Sequence, residues 1–278
     1  EDPKTSVNLD QAISYCTQKG DGWHLMTRAE WAAIALWCKA NGCLPKGNNN
    51  YGKDASEGGY KAIPAPGVND SGRTARVLTG TGPVSWSHDG TLEGIWDLNG
   101  NIWEWNGGSR TVKGELQVLV NNNAADLDHS QAASSAQWKA IDATTGAYIT
   151  PNGSGTTANS IKLDWVSGKI TYSATITTQA DTSRDCAFAS VTCASSVSAA
   201  AQAVLKALAF LPASATASEY EDDHMWMNNG ADERAFYSGG NWSNGAYAGL
   251  FALSGTSPRS GSGWDLGFRS AYVDLPTE

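Results

Sequence analysis

Charge is scarce in this 278-residue chain. Asp, Glu, Lys and Arg make up 17% of it, and 30 glycines with many Asn, Ser and Thr stand in their place. That balance suits irregular, backbone-rich structure with long loops better than a helical bundle. Basic runs are missing and the formal net charge is −9, which argues against nonspecific binding to nucleic acid or to an acidic membrane. No stretch of eighteen apolar residues occurs, so no segment reads as a membrane span, and direct membrane insertion is not expected. The four histidines, at 24, 88, 129 and 224, form no HxxxH or HxH pair. There is no GxSxG, HExxH, P-loop or dinucleotide fingerprint. A Ser-His-acid triad would have to be assembled by folding alone, with no local elbow marking a nucleophile. These absences favour binding over catalysis. The five cysteines, Cys16, Cys38, Cys43, Cys186 and Cys193, leave at least one thiol unpaired. Cys38 with Cys43 and Cys186 with Cys193 would be the local pairs in an oxidising setting; the alternative is five reduced small hydrophobes. Their spacing is no zinc signature. The chain opens on Glu1-Asp2 without a Met or a signal peptide, which reads as a piece of a longer protein.

What the chain does hold is tryptophan, twelve of them. Indoles supply large buried area from few residues where regular structure is sparse, and exposed ones anchor ligands. Its length allows a sizeable core. Asn8 to Lys19 reads as a short amphipathic helix with Ala12, Ile13, Tyr15 and Cys16 available to face inward. Thr27 caps a second helix, with Glu30 at the capping-box spacing, an apolar stripe of Trp31, Ile34, Ala35 and Cys38, and Gly42 as its end. Asn48 to Gly82 has no sustained period and predicts a long ordered loop.

Gly94 to Gly108 is dense in core-sized side chains, Ile95, Leu98, Ile102, Trp103 and Trp105, around an Asn99-Gly100 turn. A tight turn followed by a short strand is expected. Glu104, between two Trp residues, is either the outward member of an alternating strand or a buried, paired carboxylate. From 111 to 212 the pattern predicts a strand or hairpin at 111–120 and further strands at 138–141, 147–150 and 161–178, the last with a Ser167-Gly168 turn. A helix is expected from Ser195 to Phe210, stopped by Pro212. Too few large apolar residues are present for this stretch to read as a separate domain, so it is taken as an elaborating insertion. The run Glu219, Glu221, Asp222, Asp223 is a solvated loop or, with His224, a cation site. From Gly239 to Val273 two kinds of residue alternate. Gly240, Trp242, Gly245, Ala248, Gly249, Phe251, Leu253, Leu266, Gly267, Phe268 and Ala271 look like a frame, with small polar residues between them. Phe268 and Tyr272 fit a terminal strand, while 254–265 should be mostly turn, a place where loops carry recognition.

Three elements carry a family resemblance. Residues 23–31, WHLMTRAEW, resemble the "W-x-L-P-T-x-A-E-W" element of formylglycine-generating-enzyme-like proteins. Residues 94–105 resemble their "G-L-x-D-M-x-G-N-V-W-E-W", and Gly239 to Trp242 with Gly267 to Arg269 resembles their closing "G-G-S-W … G-F-R". The match covers about half the chain and leaves most of 111–212 outside it. It implies an α+β fold of the C-type lectin type with much irregular structure, one domain over 1–278 carrying the insertion. The enzymatic branch of the family places reactive, copper-binding cysteines in its C-terminal part. No cysteine follows Cys193 here, so a copper oxidase is only the alternative, beside a purely structural phage-tail or cell-surface module. The closing segment is more similar to the variable proteins of diversity-generating retroelements, whose pattern is "GG-x-W-x-x-G-x-x-A-G-x-F … G-F-R-x-A". That resemblance implies a non-catalytic receptor-recognition protein of a phage tail or bacterial surface, binding a protein or glycan on a cell. It needs no cofactor, although related folds often hold a structural calcium. Matched position by position, it implies that Ser243, Asn244, Ala246, Tyr247, Ser254, Thr256, Ser257, Gly261, Gly263, Trp264 and Asp265 are the diversified ligand contacts. Trp103, Trp105, Gly240, Trp242, Gly249, Phe251, Gly267, Phe268 and Arg269 are implied as scaffold. Tyr247 and Trp264 are the expected energetic centre, with core aromatics as the alternative for each. Arg259 and Arg269 are expected to brace loops.

Overall fold

Both N-terminal helices form where their caps place them in the computed structural model, which describes residues 1–59, 62–214 and 216–274. Helix α1 (Leu9–Thr17) starts at Asn8, which accepts from the Gln11 N–H at 2.9 Å while Gln11 Oε1 accepts from the Asn8 N–H at 3.0 Å. Strand β1 (Trp23–Leu25) leads to α2 (Arg28–Asn41). Thr27 and Glu30 form the second capping box, and Gly42 closes the helix at φ 64°, the left-handed conformation glycine adopts without strain. Ala12 and Cys16 make the buried row of α1. Tyr15, expected to face inward, falls on the flank of that row; it is 41% exposed and stacks on Phe268, with ring centroids 6.0 Å apart.

Among its described residues, the predicted loop after α2 holds a small hairpin, β2 (Asn69–Asp70) and β3 (Arg73–Thr74). Residues 60 and 61 of that loop lie outside the described residues. Next come β4 (Trp103–Val112), β5 (Glu115–Leu119), β6 (Trp138–Ile141), β7 (Tyr148–Ile149), β8 (Lys162–Val166), β9 (Lys169–Ser173), β10 (Arg184–Ala187) and β11 (Thr192–Cys193). Helix α3 (Ala199–Ala207), capped by Ser198, separates these from β12 (His224–Met227), β13 (Arg234–Gly239), β14 (Gly249–Ser257), β15 (Leu266–Gly267) and β16 (Ser270–Tyr272). Among the described residues the result is a mixed α+β structure, three α-helices with a large mixed sheet.

Its main path runs β10-β12-β14-β13-β4-β5-β8-β9-β11, with β6 on β5, β7 on β6 and β15 on β4. The strands of 111–212 therefore hydrogen-bond into the same sheet as the motifs on either side, and β10 crosses to its far end to edge β12. β1 pairs antiparallel with β16, tying the start of the chain to its last described strand.

Side-chain alternation splits the sheet into two faces. Met225, Met227, Phe236, Phe251 and Leu253 point to one, in a core shared with Trp31 of α2 and Leu205 of α3. Trp103, Trp105, Ala235, Tyr237 and Ala252 point to the other, where Val7, Leu9 and α1 cover part of them. Two expectations are corrected here. Residues 254–257 are strand rather than turn, because β12 and β13 flank Ser254 on both sides and satisfy its backbone. Phe268 lies outside the terminal strand and is only half-buried, sharing a surface stack with Tyr15. The carboxylate of Glu104 is the buried alternative, 5% exposed and ion-paired with Arg269 at 2.5 Å. All five cysteines are free thiols.

Candidate functional site

The closing segment divides by exposure. Ser243, Ala246, Tyr247 and Trp264 are exposed, the latter two at 49% and 44%. Asn244, Thr256, Ser257, Gly261, Gly263 and Asp265 are half-buried. Ser254 is 2% exposed, which corrects its expected place on the ligand-contacting surface. It stands mid-strand, opposite Trp226 and Tyr237, and its hydroxyl lies 3.0 Å from that of Thr256.

Close approach explains the frame. A Cβ on Gly240 would overlap Ala248, one on Gly249 would overlap the Asp223 carboxylate, and one on Gly267 would overlap the Lys4 carbonyl. Gly240 also sits at φ 82°, where glycine alone is unstrained. Trp242 is buried, donates from Nε1 to Asp70 at 3.2 Å and meets Trp264 edge-to-face at 4.6 Å. Phe251 packs on Phe188 and Tyr220. Trp105 donates to the Val7 carbonyl at 3.0 Å. Arg269 donates from Nε and Nη2 to Glu104 and from Nη2 to the Trp96 carbonyl, and Arg259 donates to Glu233, Asp10 and the Gln131 carbonyl.

Two loops rise from this frame, and Asn241 joins them. Its amide donates to Asp265 Oδ2 at 2.8 Å, its Oδ1 accepts from the Ser243 N–H at 2.9 Å, and its own N–H donates to Asn244 Oδ1 at 2.7 Å. Asn244 and Asp265 thus have structural partners as well as partial exposure. The Tyr247 ring stacks on His224, with centroids 3.8 Å apart and planes 24° apart. His224 Nδ1 lies 2.9 Å from Asp185 of β10. From His224 the ring contacts continue to Trp226 at 5.7 Å, to Trp103 at 5.4 Å and to Tyr237 at 5.0 Å. Trp103 also donates its backbone N–H to the carbonyl of Asp265, the chain neighbour of Trp264, whose own ring packs on Trp242. Hydroxyls border it, with Tyr237 Oη 2.7 Å from Thr256 Oγ1 and accepting from Ser257 at 3.2 Å.

Reading the sequence missed Trp226 and Asp185, whereas His224 is read there with the acidic run and Asn241 lies within the closing motif. A period-2 reading of HMWM would have set Trp226 apart from Met225 and Met227, but only the sheet order brings it beside the closing segment. No protein-family model and no curated protein matches the chain. The acidic run turns out to be mixed. Asp223 is buried, accepts from the Phe251 N–H at 2.7 Å, and burial holds its carboxyl well above the ordinary range; Glu221 and Asp222 are exposed. Among the described residues no group of three or more His, Cys, Asp or Glu is placed to hold a metal ion, and no helix is long and apolar enough to cross a membrane. Burial raises the Cys38 thiol to about 12, helped by Cys43 beside it, and Cys193 to about 11.

Proposed function

We propose that the chain is a non-catalytic recognition protein with a C-type lectin fold, of the kind diversified by retroelements. Its ligand surface is the row from Tyr247 through His224 and Trp226 to Trp264. The observation that carries this reading is the exposure of Tyr247 and Trp264, each seated on a ring of a largely buried aromatic frame. Rigid aromatic anchors of this kind lose little entropy on binding and often dominate an interface. The ligand is a protein or glycan on a cell surface, and the protein works from a phage tail or a bacterial surface.

The test is capture of the target cells by immobilised protein, compared with the double variant Tyr247→Ala, Trp264→Ala. Each truncation should cost about 2 kcal/mol or more of binding, while the melting temperature stays nearly unchanged because neither ring is buried. Unchanged capture would sink the assignment. In the genome, an adjacent near-repeat differing only at adenines should cover residues 243–265; its absence would leave a fixed recognition module.

A further inference from the structure

A cavity of about 510 Å³ opens on the other half of the sheet and shares no residue with the surface just described. Arg110 of β4 and Trp138 of β6 line it, with the 133–136 loop and the turn at Thr150 and Pro151 as walls. Arg110 is only 8% exposed. Its guanidinium lies over the Trp138 ring, 4.3 Å from the centroid. Nε donates to Gln117 at 2.9 Å, and Nη1 donates to the Ala133 carbonyl at 2.7 Å and to Glu233 at 2.9 Å. Nη2 has no acceptor among the described residues, yet it is not one of the atoms sealed from solvent. A guanidinium clamped by a ring and three hydrogen bonds therefore keeps one N–H pair unpaired on a residue that lines the cavity. A donor fixed in this way has little freedom left to lose when a ligand arrives.

The rest of the lining narrows the ligand class. Asp232 and Glu233 stand at the cavity. Glu233 is engaged by Arg110 and Arg259, whereas the Asp232 carboxylate is 93% exposed, with Lys113 at 3.5 Å. Ser134, Ser135 and Thr150 add hydroxyls, and Val112, Pro151 and Ala136 add alkyl surface. An anion would accept from Arg110 but be repelled by two carboxylates, on a chain of net charge −9. A sugar hydroxyl both accepts and donates, so adjacent hydroxyls satisfy Arg110 Nη2 and Asp232 together while the C–H face meets the alkyl wall. We infer that this cavity is a second binding site, for a neutral saccharide unit.

Calorimetric titration of the whole protein with a panel of neutral mono- and disaccharides and the matching sugar acids tests this. At least one neutral sugar should bind in the millimolar range, more tightly than its acid counterpart. Ser134→Trp or Ala136→Trp, at exposed rim positions that leave the Arg110 cluster intact, should weaken that binding about tenfold or more. The Tyr247→Ala, Trp264→Ala protein should bind the sugar unchanged, which separates this site from the proposed recognition surface. No binding by any neutral sugar, tighter binding of the acids, or loss in the Tyr247/Trp264 variant but not in the rim variants would each overturn the inference.

Discussion

The strands β12, β14 and β13 present two unlike faces. Toward α2 and α3 they carry Met225, Met227, Phe236, Phe251 and Leu253, with even Gly255 pressed on the Phe236 ring. Away from them they carry Trp226, Tyr237, Ser254 and Thr256, where every large side chain has a polar atom or an open edge. The covered face derives its value from filled volume, so a change there is felt as lost stability. The open face is held by ring edges and hydroxyl pairs, so a change at its half-buried Trp226 or Thr256 should be felt mainly in binding, whereas the buried Tyr237 and Ser254 still carry stability. A single residue of strand register decides which of the two a side chain serves.

The sharpest contrast is between neighbouring aromatics. Phe236→Ala should cost about 3–5 kcal/mol of unfolding free energy by chemical denaturation, whereas Trp226→Ala, half-buried on the open face, should cost clearly less and weaken ligand capture. Equal stability losses would break the distinction between the faces. Next in size is a pH effect on the covered side, where Asp97 contributes its carbonyl to Arg269. Burial pushes the Asp97 carboxyl up to about 6, although the Gly80 N–H and Arg269 pull the other way. With an unfolded value near 4, its contribution is complete below about pH 4 and is lost as pH rises through about 6, a change of about 3 kcal/mol. Asp97→Asn should remove that decline, so the stability of wild type relative to the variant falls between pH 4 and 7; a flat difference would refute it. Smallest is a comparison of two serines in the closing segment. Ser254→Tyr should cost about 1–3 kcal/mol by overpacking, and Ser243→Tyr should stay within about 0.5 kcal/mol, both read from melting curves.

Local signals carried much of the fold. The capping boxes at Asn8 and Thr27, the glycine stop at Gly42, the 161–178 hairpin and the helix ending before Pro212 were all legible, because each depends on residues only a few positions apart. The frame glycines were also legible, though their reason was not. Gly249 is required by Asp223, Gly240 by Ala248 and Gly267 by Lys4, and two of these partners lie far along the chain. Ser254 was misplaced because its small polar side chain resembles a loop residue, and only the flanking strands show it to be enclosed.

By itself the sequence determined where the first two helices start and stop, which strands alternate, and that the closing segment sets small polar residues among glycines and aromatics. Those properties follow from backbone preference and side-chain period, which act over a few residues. The tertiary structure alone decided that β10 would bring Asp185 to His224, that His224 would support Tyr247, and that Arg110 would be clamped over Trp138 with one edge free. Such contacts join residues from 23 to 39 positions apart, and strand order in a sheet, which no local pattern encodes, brings them together.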